Sequence, residues 1–158
     1  MVPYRVGRDN VALSTTNDYM TIIAGASRSI LLTEVDAQGA GTASAHNAFG
    51  IYRVATAGTT GGGSLTPVPK LAPNLTGTTP ALAFSGLVHT TWSSQPTVGA
   101  LVQQCGLNAN GQRYFWRANP NLNNAISVPG GNNAAASLSI RSISGTSNAS
   151  IAVEFLEI

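Results

Sequence analysis

The sequence has little charge. Of its 158 residues, only 9% are Asp, Glu, Lys or Arg, against roughly 25% in ordinary globular proteins. Lys70 is the single lysine, although soluble proteins usually stay dispersed by means of surface charge. Interface cores are depleted in lysine and glutamate, so this composition favours a protein that is packed against neighbours.

Other absences exclude several classes of function. No run of Lys or Arg could bind a row of phosphates, so nucleic acid is not an expected partner despite the net charge of +2. The lone cysteine, Cys105, excludes an intrachain disulfide and a multi-cysteine metal site. No apolar run approaches the length of a membrane span, and residues 1–10 lack the apolar core of a signal peptide. We therefore expect no membrane partner, and synthesis in a cytoplasm.

What the sequence does contain is alternation with a period of two. Residues 113–118 place Tyr114 and Trp116 on one face of a strand and Arg113, Phe115 and Arg117 on the other. Similar patterns, or short apolar runs between turn residues, predict strands at 19–24, 29–37, 49–56, 81–92, 99–107, 112–118, 124–130, 137–141 and 150–158. No segment keeps helical spacing for three turns, so we expect an all-β protein.

Short strands separated by turns rich in Gly, Pro, Asn and Ser are typical of an antiparallel β-sandwich, either a jelly roll, which we favour, or an immunoglobulin-like Greek key. Asn110-Gly111 predicts a hairpin between strands 99–107 and 112–118. Residues 1–18 are expected to form an extended N-terminal arm before a single β-sandwich domain over 19–158. The long loop 58–80 is interpreted as an excursion over the surface or as an arm onto a partner.

Groups that could do chemistry are few and scattered. The two histidines, His46 and His89, have no Gly-x-Ser-x-Gly serine to activate and no metal-ligand spacing. Glu34 and Asp36 form the one close acid pair on a strand face, but glycosidase carboxylates usually come from different strands around a cleft. Asp9-Asn10 and the pair of Asp36 and Gln38 do not resemble dedicated calcium loops. We therefore predict no enzyme, no catalytic or metal-binding residue, and no cofactor.

The aromatic cluster at residues 114–116 is the most distinctive stretch. Tyr114 and Trp116 are predicted to point into the core, near Cys105 or Val102 across the predicted hairpin. Phe115 lies on the opposite face between two arginines, which favours a protein–protein contact because aromatic residues and arginine are enriched in hot spots. A sugar platform at Phe115 or at Trp92 is the alternative.

The C-terminal strand carries apolar residues on both faces. Ile151, Val153 and Phe155 occupy one face, whereas Leu156 and Ile158 lie on the other. A sandwich strand needs only one apolar face, so the second set predicts a partner. We expect a symmetric homo-oligomer, most simply a trimer.

The stretches "FGIYRVATAGTTGGGSLTPVPKL", "GQRYFWRANPNLNNAISVPGG" and "SNASIAVEFLEI" together resemble the decoration, or cement, proteins of tailed bacteriophages, over about residues 19 to 158. The resemblance implies a trimeric β-sandwich on the outer surface of the virion capsid. It further implies that the protein bridges neighbouring subunits of the major capsid protein and resists internal genome pressure, after synthesis in the host bacterial cytoplasm. An adhesive module that binds carbohydrate or the host surface, on a capsid or tail fibre, is the alternative function.

Overall fold

The computed structural model describes residues 2–70, 84–131 and 136–158, and these residues form strands, turns and loops with no α-helix. The strands in chain order are β1 (Val2–Ala12), β2 (Met20–Ile23), β3 (Ile30–Ala40), β4 (His46–Thr56), β5 (Thr59–Thr60), β6 (Ser64–Leu65), β7 (Val68–Pro69), β8 (Leu87–His89), β9 (Trp92–Ser94), β10 (Thr97–Asn108), β11 (Asn110–Arg117), β12 (Ile126–Val128), β13 (Leu138–Ser144) and β14 (Asn148–Glu157). The all-β prediction is confirmed.

Two antiparallel sheets pack face to face. Sheet 1 has the order β11-β3-β14-β1-β7, with β12 also paired to β3, and sheet 2 has the order β10-β4-β13-β2-β8-β6. Each sheet contains four of the eight principal strands, which are β1, β2, β3, β4, β10, β11, β13 and β14. Most strands that follow one another in this series lie in opposite sheets. This arrangement is a β-sandwich, as expected from the sequence. The jelly roll within this class stays a prediction.

The core lies between the sheets and is built by the alternation that the sequence shows. Along β14, Ile151, Val153 and Phe155 are at most 1% exposed, and Phe155 stacks on Tyr4 of β1 with ring centroids 5.7 Å apart. Sheet 2 contributes Phe49 among other apolar side chains. Burying each of these large side chains stabilises the fold by about 1.5–3 kcal/mol.

The predicted N-terminal arm is wrong for residues 2–12, because they form β1 inside sheet 1. This strand pairs with β14 from Val2–Glu157 to Ala12–Asn148. Tyr4 and Val6 point into the core, whereas Gly7 is exposed. Turn-forming residues conceal this alternation in the sequence, and the structure accommodates them with a register shift after Arg8.

The chain turns at Ala109, immediately before Asn110-Gly111, but the predicted hairpin is wrong. β10 pairs with β4 in sheet 2, whereas β11 pairs with β3 in sheet 1. The backbone of Ala109 explains the separation, since its N–H donates to Ala45 O at 2.7 Å and its carbonyl accepts from Gly41 N at 2.8 Å. The β3–β4 connection thereby holds the turn, and the two strands leave it into opposite sheets.

The segment 58–70 is not a structureless loop. Its three short strands pair with β9, β8 and β1 in turn, so the chain passes from the edge of sheet 2 to the edge of sheet 1. A short segment loses little further conformational entropy when it pairs with the edge of a sheet whose neighbouring strand is already fixed. A polar, glycine-rich sequence can therefore form β-structure at these edges, because strand formation depends strongly on context. The remainder of the predicted loop, residues 71–80, lies outside the described residues.

Candidate functional site

The outward side of sheet 1, here called the charged face, carries most of the exposed charge. Its ionic side chains are Arg5, Glu34, Asp36, Lys70, Arg113, Arg117 and Glu154. Strand register sets them in rows that cross β11, β3, β14 and β1: Arg117, Glu34, Glu154 and Arg5, then Phe115, Asp36, Ala152 and Gly7. Cationic strands at the margins therefore flank carboxylates in the middle.

The arginines of β11 bind the carboxylates of β3. Arg113 donates to both oxygens of Asp36, at 2.8 and 2.9 Å, and Arg117 donates to Glu34 at 2.8 Å. Two donors in a fixed fork orient each guanidinium more firmly than a single contact does. The acid pair noted in the sequence is therefore neutralised by the two arginines noted beside Phe115.

Arg5 of β1 joins the centre of the charged face. Its guanidinium lies 2.8 Å from Glu154, 3.3 Å from Asp36 and 3.5 Å from Glu34. Lys70 adds a contact of 2.7 Å to Glu154. The resulting network connects four strands and the end of β7, although exposed ion pairs each stabilise a protein by only about 0–1 kcal/mol.

The network shifts two carboxyl pKa values downward. Hydrogen bonds from Arg113, aided by the charges of Arg113 and Arg5, lower the pKa of Asp36. Desolvation acts to raise the pKa of Glu154, but hydrogen bonds and charges from Lys70 and Arg5 together outweigh it and lower that pKa. Both groups are therefore held as carboxylates, which suits ion pairing rather than proton donation.

Phe115 is bracketed by arginines in an arrangement that we call the clamp (Arg113, Phe115 and Arg117). The guanidinium carbons lie 5.5 and 5.3 Å from the ring centroid, within the range of cation–π attraction. Phe115 itself is 47% exposed. The clamp therefore presents an aromatic ring that is flanked by two cations and stays partly open to solvent.

Beside the clamp lies a depression of about 310 Å³, here called the trough. Gly7 and Ala152 form its floor, and Arg5, Asp36, Gln38 and Ser150 are among the residues of its walls. A Cβ at Gly7 would lie 2.8 Å from that of Ala152, so the small residues at these two positions account for the lowered floor. A second depression near Val68 and Pro69 continues from it along β1.

Part of the outward side of sheet 2 is different because a segment of the same chain covers it. Trp92 of β9 is 7% exposed, and its indole N–H donates to Thr21 Oγ1 at 3.1 Å. Arg141 binds Asp18 at 2.7 Å and also donates to Pro96 O at 2.9 Å. The segment 92–96 thus lies over β2 and β13, and Trp92 is not available as a sugar platform.

The two histidines do not meet. His46 is exposed at the start of β4, whereas His89 is buried on β8, and β13 and β2 lie between these two strands in the sheet. His89 packs on Trp92 with ring centroids 4.9 Å apart. Both of its ring nitrogens lack a hydrogen-bond partner among the residues that the structure describes, as does Ser139 Oγ on β13.

The other sequence candidates occupy structural positions. Burial raises the pKa of Cys105 to about 11, so the thiol is protonated near neutral pH and is a poor nucleophile. Asp9 accepts a hydrogen bond from Ser150, and Asn10 contacts Asn148. Within residues 2–70, 84–131 and 136–158, no three His, Cys, Asp or Glu side chains come together as a metal site.

Tyr114 and Trp116 point inward and Arg113 and Arg117 outward, as predicted. Tyr114 packs edge-on against Phe49 at 6.2 Å and accepts a hydrogen bond from Gln103 at 3.1 Å. Both aromatic side chains are half-buried rather than fully buried, because β11 is an edge strand. Tyr114 does meet Cys105, but across the core and not across a hairpin.

Sequence reasoning missed Arg5 and the pair of Asp18 and Arg141. Arg5 is at the centre of the charged face only because β1 pairs with β14, which the sequence did not reveal. Asp18 and Arg141 are 123 residues apart, and no local pattern connects them. The one available signal was the outward position of Arg141 in its strand.

None of the described segments forms a helix long and apolar enough to cross a membrane. No family model, curated protein or solved structure matches this chain.

Proposed function

We propose that this protein is a structural virion protein of a tailed bacteriophage. It decorates the outer surface of the assembled capsid, bridges neighbouring major capsid subunits and stabilises the shell. It does so without catalysis and without a cofactor, nucleic acid or membrane. The proposed fold within the sandwich class is the jelly roll, which the strand order of the two sheets supports.

One observation carries the proposal: the acidic groups are used for structure. Five of the six carboxylates in the sequence, Asp18, Glu34, Asp36, Glu154 and Glu157, lie in ion pairs with Arg or Lys. An enzyme needs an acid, base or nucleophile that is free to act on a substrate. A cement protein needs broad surfaces on a rigid body, which interstrand ion pairs and a sandwich core supply.

The proposed assembly is a homotrimer. Leu156 remains half-exposed on the outward side of β14, and Ile158 is 47% exposed. These residues support a contact between copies at the C-terminal end of sheet 1, since an apolar side chain gains free energy when a partner covers it. Sedimentation equilibrium at micromolar concentration tests it: a mass of three chains is expected, and a stable monomer contradicts the assembly.

Undecorated shells of the phage that encodes the chain provide the functional test. Purified protein is added, and the number of bound copies and the shell rupture temperature are measured. Bound copies favour the assembled state by mass action, so saturation is expected at a fixed number of sites together with a higher rupture temperature. Absence of binding, or binding with an unchanged rupture temperature, contradicts capsid stabilisation.

The alternative, a carbohydrate-binding adhesive module, is supported by the exposure of Phe115. However, the guanidinium groups of Arg113 and Arg117 lie within cation–π distance of this ring. Sugars bind aromatic residues through the ring face, so the clamp leaves them little area. Binding of purified oligosaccharides by the free protein, with no binding to shells, would favour the alternative.

A further inference from the structure

The charged face combines an exposed aromatic ring, two oriented arginines and a small-residue trough within the breadth of four strands, or about 15 Å. A surface that contacts only solvent does not require such a combination. We infer that the clamp and the trough form the surface that docks onto the shell, an inference that rests on the proposed function. The occupant is a protein segment that presents an apolar side chain flanked by carboxylate or carbonyl oxygens.

The clamp is organised before any partner arrives. Arg113 and Arg117 are each fixed by a carboxylate of β3, so binding does not need to order their long side chains. Immobilising such a side chain on binding otherwise costs conformational entropy. An aromatic residue with flanking arginines is also the composition in which binding energy concentrates.

The donors that remain determine the chemistry of the occupant. Asp36 engages Nε and Nη2 of Arg113, and Glu34 engages the same two atoms of Arg117. Nη1 of each arginine is left without a hydrogen-bond partner among the described residues. Guanidinium groups donate and never accept, so the segment that covers Phe115 must supply oxygen acceptors.

The trough provides space next to these donors. With a floor of Gly7 and Ala152 and a volume of about 310 Å³, it has room for one or two side chains. Asp36 lies both in the wall of the trough and beneath the clamp, opposite Phe115 in the strand register. A partner segment that crosses the strands can therefore contact both features at once.

A second copy of this chain is a poorer occupant than a different protein. Five of the six carboxylates are already in ion pairs, and the sixth, Asp9, is held by Ser150. A copy therefore has few free acidic groups to offer the clamp. Two clamps facing each other would oppose four arginines, which like-charge repulsion disfavours.

Binding of variants to undecorated shells tests the inference. Phe115→Ala removes the ring, and Leu101→Ala is the matched control, because Leu101 is 45% exposed and lies on sheet 2. We expect Phe115→Ala to weaken shell binding at least about tenfold, as for a hot spot, and Leu101→Ala to change it less than about twofold. Both variants should melt close to the parent, since each loses an exposed side chain.

A second variant tests the trough independently. Ala152→Gln places a larger polar side chain over Gly7, where the absence of a Cβ leaves room, and should weaken binding without unfolding the sandwich. Binding by the parent should also weaken as salt is raised, because the oxygen acceptors of the partner meet partly exposed cations.

The outcomes separate the inference from the proposed function. If the parent binds shells and both Phe115→Ala and Ala152→Gln bind equally well, the docking surface is wrong while decoration stands. If the parent does not bind, the proposed function and the docking surface fail together. If Phe115→Ala instead changes the sedimentation of free protein and leaves shell binding intact, the clamp is a contact between copies and shell docking is overturned.

Discussion

The outward sides of the two sheets place their ion pairs in opposite environments. The inward side of each sheet forms the shared core, so the other side must either face solvent or be covered. On sheet 1 the side chains of Arg113 and Arg117 are 63% and 65% exposed, and they pair with the more buried carboxylates of Asp36 and Glu34. On sheet 2 the side chains of Arg141 and Asp18 are 10% and 0% exposed, under a segment of the same chain.

This difference distinguishes charges that a partner can reach from charges that only stabilise the fold. The cations of the charged face are partly open to solvent, which screens them, so a partner can reach them at little cost. On the outward side of sheet 2, both members of the Arg141–Asp18 pair are instead buried beneath residues 92–96. Equivalent charges should therefore contribute very differently to stability on the two sheets.

The largest expected effect comes from breaking the buried pair. Arg141→Met leaves the Asp18 carboxylate buried without its cation, and should lower the free energy of unfolding by about 3–5 kcal/mol. Arg113→Gln on the charged face should leave the unfolding midpoint close to that of the parent. Urea denaturation of both variants measures the contrast.

Asp18→Leu combined with Arg141→Met supplies the control for that experiment. Replacing both partners by apolar groups removes the unpaired charge, so much of the loss should be recovered. Equal destabilisation by Arg141→Met and Arg113→Gln would show that the two sheets do not differ in the way described.

A smaller effect is expected from acid on the charged face. The pKa of Asp36 is lowered from 3.8 in the folded state, so its contribution to stability is present above that value and is lost as pH falls through the folded pKa. Asp36→Asn should therefore be less stable than the parent at pH 7, and the gap should narrow as pH falls below 3.8 and through the folded pKa. Thermal unfolding of both proteins at each pH gives the comparison; a gap that widens in acid would contradict the ion pairing.

The smallest effect is expected at His89 on sheet 2. Both ring nitrogens are buried and have no hydrogen-bond partner in the described part of the chain, and a buried polar group without a hydrogen bond costs about 1–3 kcal/mol of stability. His89→Leu gives up the ring contact with Trp92 but removes that cost, so we expect unchanged or slightly higher stability in urea denaturation. A loss as large as that of Arg141→Met would show that His89 has a structural bond that this geometry lacks.

The sequence predicts side-chain direction better than strand pairing. Alternation correctly placed Tyr114 inward and Arg113 outward, because the direction of a side chain depends only on its neighbours in the strand. Strand pairing depends on residues that are far apart in the sequence. The sequence pattern therefore predicts an arm in place of β1 and a hairpin of β10 with β11. The match between Arg117 and Glu34 likewise required the register between β11 and β3, which no local pattern contains.

The candidate docking surface shows the same limit. Phe115 and its two arginines were recognisable in the sequence, since all three lie within five residues. The trough was not, because Gly7 and Ala152 are opposite each other only through the pairing of β1 with β14. A glycine in an apparent loop gave no sign that it would form the floor of a depression.

The pairing of β1 with β14 also has a kinetic consequence. Val2 lies opposite Glu157, and β14 fits between β1 and β3, so sheet 1 cannot close until residues 148–157 have left the ribosome. During synthesis β1 has no β14 to pair with, and unpaired strand edges are prone to aggregation. Contacts of such large sequence separation also make folding slow. Identical chains that are synthesised at the same time would all pass through this unpaired state. The low charge of the sequence would provide little electrostatic repulsion between their unpaired strands.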